Sequence, residues 1–330
     1  MNETNNDLAI ELQVVADYFN LGKINSFSEI NMGLVNTSWK IITQKGKFVI
    51  RKLPSYKTKM ELETEQKIIL HLHNSSFSYS LPTPLISTKN TSFFKKNDEL
   101  IWVYKYIDGD LYETLDESSL EEIAIMFREL HSISPEEYSN LLKNNLLTKE
   151  KILGSLNSAL KLSKGKKDEA SRLVKKSYSK FIKILESIII PSDSIAIIHA
   201  DITSENILFK NGGLSAILDF EHAGVGLPIE DITIFLQREC SSNNQLDFNK
   251  MNLFLKKYCE DEPLKKDDAK LFFNYAILHY VDDFCYFYWV LQNEPERDVS
   301  FEHLEQTANL IYWTIENKDK ILSFLKEFCE

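Results

Sequence analysis

Apolar positions in the first hundred residues follow two rhythms. In "LAIELQVVADYFN" they recur every three to four residues up to Gly22, which predicts a short amphipathic helix. "SEINMGLVNTSWKIITQ" and "KFVIRKL" are β-branched and aromatic runs separated by Lys45-Gly46, and they predict a hairpin. "KTKMELETEQKIILHLHN" returns to the helical spacing through Met60, Ile68 and Leu72. After Pro82 and Pro84, "ELIWVYKYIDG" reads as a strand that stops at Asp108-Gly109. Beyond Gly109 the helical rhythm dominates: "SLEEIAIMFRELHSI", a Lys-rich region over 141–188, then 229–240, 247–260, 267–292 and 300–328. One β-like stretch, 195–219, interrupts it. The pattern predicts an α+β protein with a small β-rich lobe over 1–107 and a large, mostly helical lobe over 108–330.

Composition narrows the class. The 330 residues are 43% hydrophobic and 26% charged, as in ordinary globular proteins. "MNETNND" lacks the basic start and apolar core of a secretory signal, and no apolar run approaches the ~20 residues of a membrane helix. A cytoplasmic protein without a membrane partner is expected. Cys240, Cys259, Cys285 and Cys329 lie far apart, without the close pairs of a zinc site or disulfide framework, and are expected to be reduced and mostly buried. The net charge of −11 argues against a nucleic-acid partner. Residues 1–218 carry 27 acidic and 27 basic side chains, whereas 219–330 carry 22 and 11. The whole imbalance belongs to the last third, as solvated acidic faces or as a basin for a cationic ligand. "KLSKGKKDEASRLVKKSYSK" reads as a solvated helix face with no partner.

The chemistry concentrates in "HADITSENILF" (199–209) and "AILDFEHAG" (216–224). Phosphate transfer from ATP to a hydroxyl requires phosphates held and neutralised by metal ions, and a carboxylate towards which the acceptor hydroxyl is oriented. Asp201 is the candidate base and Asn206 a neutral oxygen ligand for magnesium. Asp219 is a charged oxygen ligand suited to that hard cation, and His199 would brace the loop.

His-x-Asp-x4-Asn, followed after strand, turn and strand by Asp-Phe, resembles the catalytic and metal-binding segments of the bilobal protein-kinase-like fold. "HADITSENILF…LSAILDFEHAGVGLPIEDI" resembles more closely the aminoglycoside phosphotransferase, choline kinase and homoserine kinase group, which phosphorylates small molecules. "NMGLVNTSWKI" is similar to that group's nucleotide-loop hairpin, "FVIRKL" to its third strand, "ETEQKIILHL" to its first-lobe helix, "VYKYIDGD" to its hinge and "FRELHSI" to the helix that follows. The pieces occur in the family's order over about residues 24–240. The resemblance implies ATP and Mg2+ as cofactors, with Asp201 as base and Asn206 and Asp219 as metal ligands. It implies Gly33 and Asn36 over the phosphates, and Tyr104, Lys105, Tyr106 and Ile107 bordering the adenine. Glu65 would be the helix glutamate that pairs with a strand cation, and Asp231 the aspartate bracing the catalytic loop. The strand cation is Arg51 or Lys52; alternation along "FVIRKL" points to Arg51, a planar fork in place of the family's lysine. Ala200 stands where many relatives have glycine or asparagine.

The chain reaches the helical "PIEDITIFL" within about ten residues of Asp219-Phe220, leaving little room for a protein kinase's activation segment and favouring a small-molecule acceptor. Asp282, Tyr286 and Trp289 fall at i, i+4 and i+7 in "LHYVDDFCYFYWVLQNEPE", within which "YFYWVLQ" is similar to the aromatic helix of choline kinases. Such a face could cage an ammonium group, or it could belong to the core. Glu221 could add a carboxylate near the metals or pair with a neighbour. A protein Ser/Thr kinase and a catalytically weak nucleotide-binding pseudo-enzyme are the alternatives. Acceptor identity, ATP against GTP, and oligomeric state are open at this point.

Overall fold

Helix α1 (Glu3–Tyr18) precedes the strands β1 (Ile24–Ile30), β2 (Thr37–Thr43) and β3 (Gly46–Lys52) in the computed structural model, which describes residues 3–30, 36–135, 147–191 and 195–330. Helix α2 (Lys59–Asn74), β4 (Phe93–Lys96) and β5 (Glu99–Lys105) follow, and the strands form one antiparallel sheet in the order β1-β2-β3-β5-β4. The run "SEINMGLVNTSWKIITQ" thus holds the end of β1 and all of β2, an antiparallel pair that alternation alone does not mark but that the resemblance of "NMGLVNTSWKI" to a hairpin implied. Alternation along β3 sends Phe48 and Ile50 to one face, where they join Trp39, Ile41, Ile101 and Val103 under Leu12, Val15 and Ala16 of α1 and Phe19 just after it. Arg51 is on the other face. Helix α2 is started by a capping box, in which the Thr58 side chain accepts from the Glu61 N–H and the Glu61 carboxylate accepts from the Thr58 N–H. Its buried face is Leu62, Glu65, Gln66, Ile68, Ile69 and Leu72, whereas Met60 at its first turn is exposed, contrary to the sequence expectation.

The chain then forms α3 (Glu117–Ser132), α4 (Lys149–Ser163) and α5 (Glu169–Ser187), so that the described part of the Lys-rich region is two helices. Strands β6 (Ala196–Ile198), β7 (Ile207–Lys210), β8 (Gly213–Ile217) and β9 (Gly224–Gly226) make up two small ribbons, β6 with β9 and β7 with β8. Helices α6 (Pro228–Glu239), α7 (Phe248–Tyr258), α8 (Asp268–Asn293), α9 (Phe301–Glu316) and α10 (Lys318–Lys326) complete the chain. The expected helix over 300–328 is broken at Asn317, whose side chain donates to the Trp313 carbonyl and ends α9.

Two compact units result. One comprises Met1–Thr114 and Ser204–Ala223; the other comprises Leu115–Thr203 and Gly224–Glu330. The first unit therefore runs past residue 107 and takes back a later segment, the β7–β8 ribbon with its flanks. That segment is attached through backbone bonds: Ser80 N–H to Ser215 O, Ile217 N–H to Ser80 O, and the mutual pair Asp110–Phe209. Gly109 is required for this approach, since a Cβ there would lie 2.8 Å from Leu208 Cβ and 3.1 Å from the Phe209 carbonyl. In the second unit α8 is the hub, touching α4, α5, α6, α9 and α10. All four cysteines are free; Cys240 and Cys285 are buried, Cys259 and Cys329 partly so. Among the described residues, no helix is long and apolar enough to cross a membrane.

Candidate active site

In the first unit, the face of β3 opposite α1 presents Arg51 to a group of carboxylates. Its Nη2 donates to Asp219 Oδ1 at 2.5 Å and lies 3.7 Å from Glu221 Oε2, while Nη1 lies 3.7 Å from Glu65 Oε1 on α2. Burial alone would disfavour this cation; Asp219 and Glu65 outweigh that and hold it charged. Burial pushes the Glu65 carboxyl up to about 7 against the pull of Arg51, with Asp219 and Glu221 adding to the rise. Glu221 moves the other way: despite its burial, its bond to His222, the Arg51 charge, the Asn36 amide and Lys57 hold it below the usual carboxylate range. Lys52, the other candidate, points elsewhere and pairs with Glu99 at 3.0 Å.

Asp219 has left-handed backbone angles (φ 61°, ψ 67°) at the start of a 3-10 turn, Phe220–His222, that packs on α2. Asn206 ends another 3-10 turn, and its carbonyl accepts from Leu218 N–H at 2.9 Å, tying it to the residue before Asp219. Asn36 Nδ2 donates to Glu221 Oε2 at 3.0 Å, and its Oδ1 is buried without a hydrogen-bond partner. Lys57 Nζ stands 3.7 Å from the same Glu221 oxygen. Gly33 lies outside the described residues. At the hinge Tyr104 is buried, Lys105 exposed, and Tyr106 and Ile107 half-buried. The Tyr106 N–H is taken by Lys47 O at 3.0 Å, and Lys40 Nζ sits 3.7 Å above the Tyr106 ring.

In the second unit the loop after β6 carries His199, Ala200 and Asp201. His199 is fully buried and Asp201 half-buried. The loop is pinned by Asp231, itself 1% exposed in the first turn of α6: its Oδ2 accepts from His199 N–H at 2.8 Å and its Oδ1 from Ala200 N–H at 2.6 Å. Helix α6 starts with proline at N1, so the orphan N–H groups and dipole of its first turn favour this carboxylate. A third donor, His131 Nε2 of α3, is 3.2 Å from Oδ2. Three donors offset the cost of burying the charge. Ala200 is in the left-handed region at φ 61°.

Helix α8 carries the remaining candidates. Phe284, Cys285 and Tyr288 face the core, while Asp282 and Tyr286 are half-buried and Trp289 is 46% exposed. The Tyr286 hydroxyl accepts from Arg297 Nη1 at 3.0 Å, and Arg297 is itself paired with Glu294.

The model of the phosphotransferase enzyme family matches residues 26–257. The chain belongs to this family. Among curated proteins it resembles the homoserine kinase of Bartonella henselae, 23% identical over 258 residues, covering 77% of each chain. Among solved structures it matches a spectinomycin phosphotransferase in complex with ADP and spectinomycin, with a TM-score of 0.70, 14% identity, and 92% and 97% of the two chains covered. An amicoumacin kinase in complex with AMP-PNP and Ca2+ matches with a TM-score of 0.61, 14% identity, and 97% and 96% covered. The bilobal protein-kinase-like fold expected from the sequence is the fold of these structures.

For a phosphotransferase, the donor chemistry around Asp219 fits a hard divalent cation: carboxylates from Asp219 and Glu221, and the amide oxygen of Asn36, an orphaned buried acceptor. No group of three or more His, Cys, Asp or Glu among the described residues forms a ready metal cage.

Three neighbours of these candidates escaped the sequence reading. His131 sits beside Leu130 and Phe127 in "FRELHSI", a polar ring on an apolar stripe, and that was its only signal. Lys57 and Tyr258, which bonds His131, carried none.

Proposed function

We propose that this phosphotransferase moves the γ-phosphoryl group of ATP to a hydroxyl of a small molecule, with magnesium as the metal. The observation that carries the reading is the pinned "HADITSEN" loop, whose Asp201 follows two backbone N–H groups fixed by Asp231. Asp201 takes the acceptor's proton, or orients its hydroxyl. Positioning and charge neutralisation dominate in a loose phosphoryl-transfer transition state. Arg51, kept charged between Glu65 and Asp219, neutralises phosphate oxygens; Asn36 with Gly33 covers them, and Tyr104 to Ile107 border the base. Asn206 and Asp219 are the metal ligands, and His199 braces the loop from within the core. When bound, the metal draws charge from the phosphate oxygens.

A small acceptor is favoured by the short path after Asp219: one 3-10 turn and three residues of strand precede Pro228 at the start of α6. Homoserine, the substrate class named for the Bartonella relative, and the aminocyclitol type named for spectinomycin phosphotransferase are the first acceptors to offer. Both carry ammonium groups that the acidic last third would suit, with Asp282, Tyr286 and Trp289 of α8 as candidate contacts. The Arg297 bond to Tyr286 means that a cationic ligand on this face must share it with a guanidinium. The protein is expected to work in the cytoplasm.

The reading is tested by ADP release from ATP with and without Mg2+, over homoserine, choline, ethanolamine, amino sugars and aminoglycosides. Metal-dependent release with one acceptor class supports it. Bound ATP with no transfer to any small molecule, and label appearing on protein instead, would replace it with a protein kinase.

A further inference from the structure

The Asp231 carboxylate is an acceptor on every side. It already receives the N–H groups of His199 and Ala200, so His131 Nε2, 3.2 Å from Oδ2, must carry a hydrogen towards it. In the neutral imidazole this leaves Nδ1 as a lone pair, and the Tyr258 hydroxyl of α7 lies 2.9 Å from it. Tyr258 must then donate, which gives the chain one direction: Tyr258 O–H to His131 Nδ1, His131 Nε2–H to Asp231, and Asp231 to the two loop amides preceding Asp201.

The chain is built into the core. The His131 side chain is 4% exposed and that of Asp231 fully buried. The Tyr258 ring stacks on Phe254 (centroids 6.0 Å apart, planes at 9°) and meets the edge of the His131 ring at 5.8 Å. Phe127 holds the imidazole from its own helix at 5.5 Å. Burial, with Cys259 and Asp231 adding, drives the Tyr258 phenol far above its ordinary value, so it keeps the proton it donates.

The geometry points to Tyr258 as a positioning residue for the catalytic loop: its hydroxyl selects the Nε2–H tautomer of His131 and thereby the third bond that fixes Asp231 under Asp201. This rests on the reading of Asp201 as the group that handles the acceptor hydroxyl. Helix α7, which carries none of the candidate site residues, thus contributes to turnover. The effect belongs to kcat and leaves ATP binding alone, since the nucleotide candidates Arg51 and Glu65 pair within the first unit, where Arg51 also holds the metal candidate Asp219.

The test uses the full chain and Tyr258→Phe, which keeps the stacked ring and removes one donor. Nitrogen-15 spectra of histidine-labelled wild type should show His131 as the neutral Nε2–H tautomer. In the variant, amide exchange at His199 and Ala200 should accelerate about 5-fold, the worth of one buried hydrogen bond, while the amides of α8 hold their rates. With a working acceptor, kcat should fall by a similar factor at unchanged KM for ATP. An Nδ1–H tautomer in the wild type, unchanged exchange at both loop amides, or an unaltered kcat overturns the proposal. If the wild type transfers phosphate to nothing, the kinase reading fails by itself, and the tautomer and exchange rates still decide this one.

Discussion

Ala200 is held at φ 61°, where an L-residue with a Cβ is strained by ~1–2 kcal/mol and glycine is not. Its N–H must point at Asp231, and that requirement imposes the angle. Glycine here would cost ~0.4–1 kcal/mol through a freer unfolded chain. Relief of strain outweighs this, so Ala200→Gly should raise stability in urea by about 0.5 kcal/mol. A clear loss would mean that the left-handed turn is absent. Glu230 gives a second prediction at this scale. Burial, with Asp231 adding, pushes its carboxyl from 4.5 up to about 8, while a bond to Tyr275 pulls it partly back. Between those values the folded state holds a proton that the unfolded state has released, so its contribution is full below 4.5 and lost as the pH rises through about 8. Wild type should therefore lose stability over that window relative to Glu230→Gln, and parallel pH profiles of the two would show that Glu230 is not the titrating group.

Three elements converge on Arg51: its own strand β3, helix α2 through Glu65, and the turn after β8 through Asp219 and Glu221. Removing the guanidinium leaves carboxylates without their counter-charge. Arg51→Met should destabilise the chain by roughly 3–5 kcal/mol near neutral pH, read by thermal or urea unfolding. A loss under ~1 kcal/mol would mean that the pairs are solvent-screened and do not join the elements. Much of this scale was legible beforehand. Strand alternation alone chose Arg51 over Lys52, because a two-residue period fixes which side chains share a face. Helices α2, α3, α6 and α8 followed from apolar spacing. Two features stayed hidden: the break at Asn317, made by a side-chain bond four residues back that apolar spacing does not register, and the bonding of Tyr258 to His131 across 127 residues.

At the scale of the whole molecule, the chain visits its first unit twice. Ser204–Ala223 leaves the helical unit to complete the β-rich one, bringing the β7–β8 ribbon and Asp219 with it. Sequence motifs could order these segments but could not show which unit each joins, since that is decided by backbone bonds such as Asp110–Phe209. A fragment ending at Thr114 lacks the backbone partners of Ser80 and Asp110 and the carboxylates of Asp219 and Glu221 that pair with Arg51. It should give poorly dispersed spectra and no cooperative melt; a melt like that of the full chain would contradict the division. Whether Asp201 handles the acceptor hydroxyl in phosphoryl transfer from ATP is decided by measuring transfer and ATP affinity together in wild type and Asp201→Asn. ATP affinity should be unchanged and turnover lowered by about 10²–10⁴-fold. Near-wild-type turnover in the variant would contradict that role.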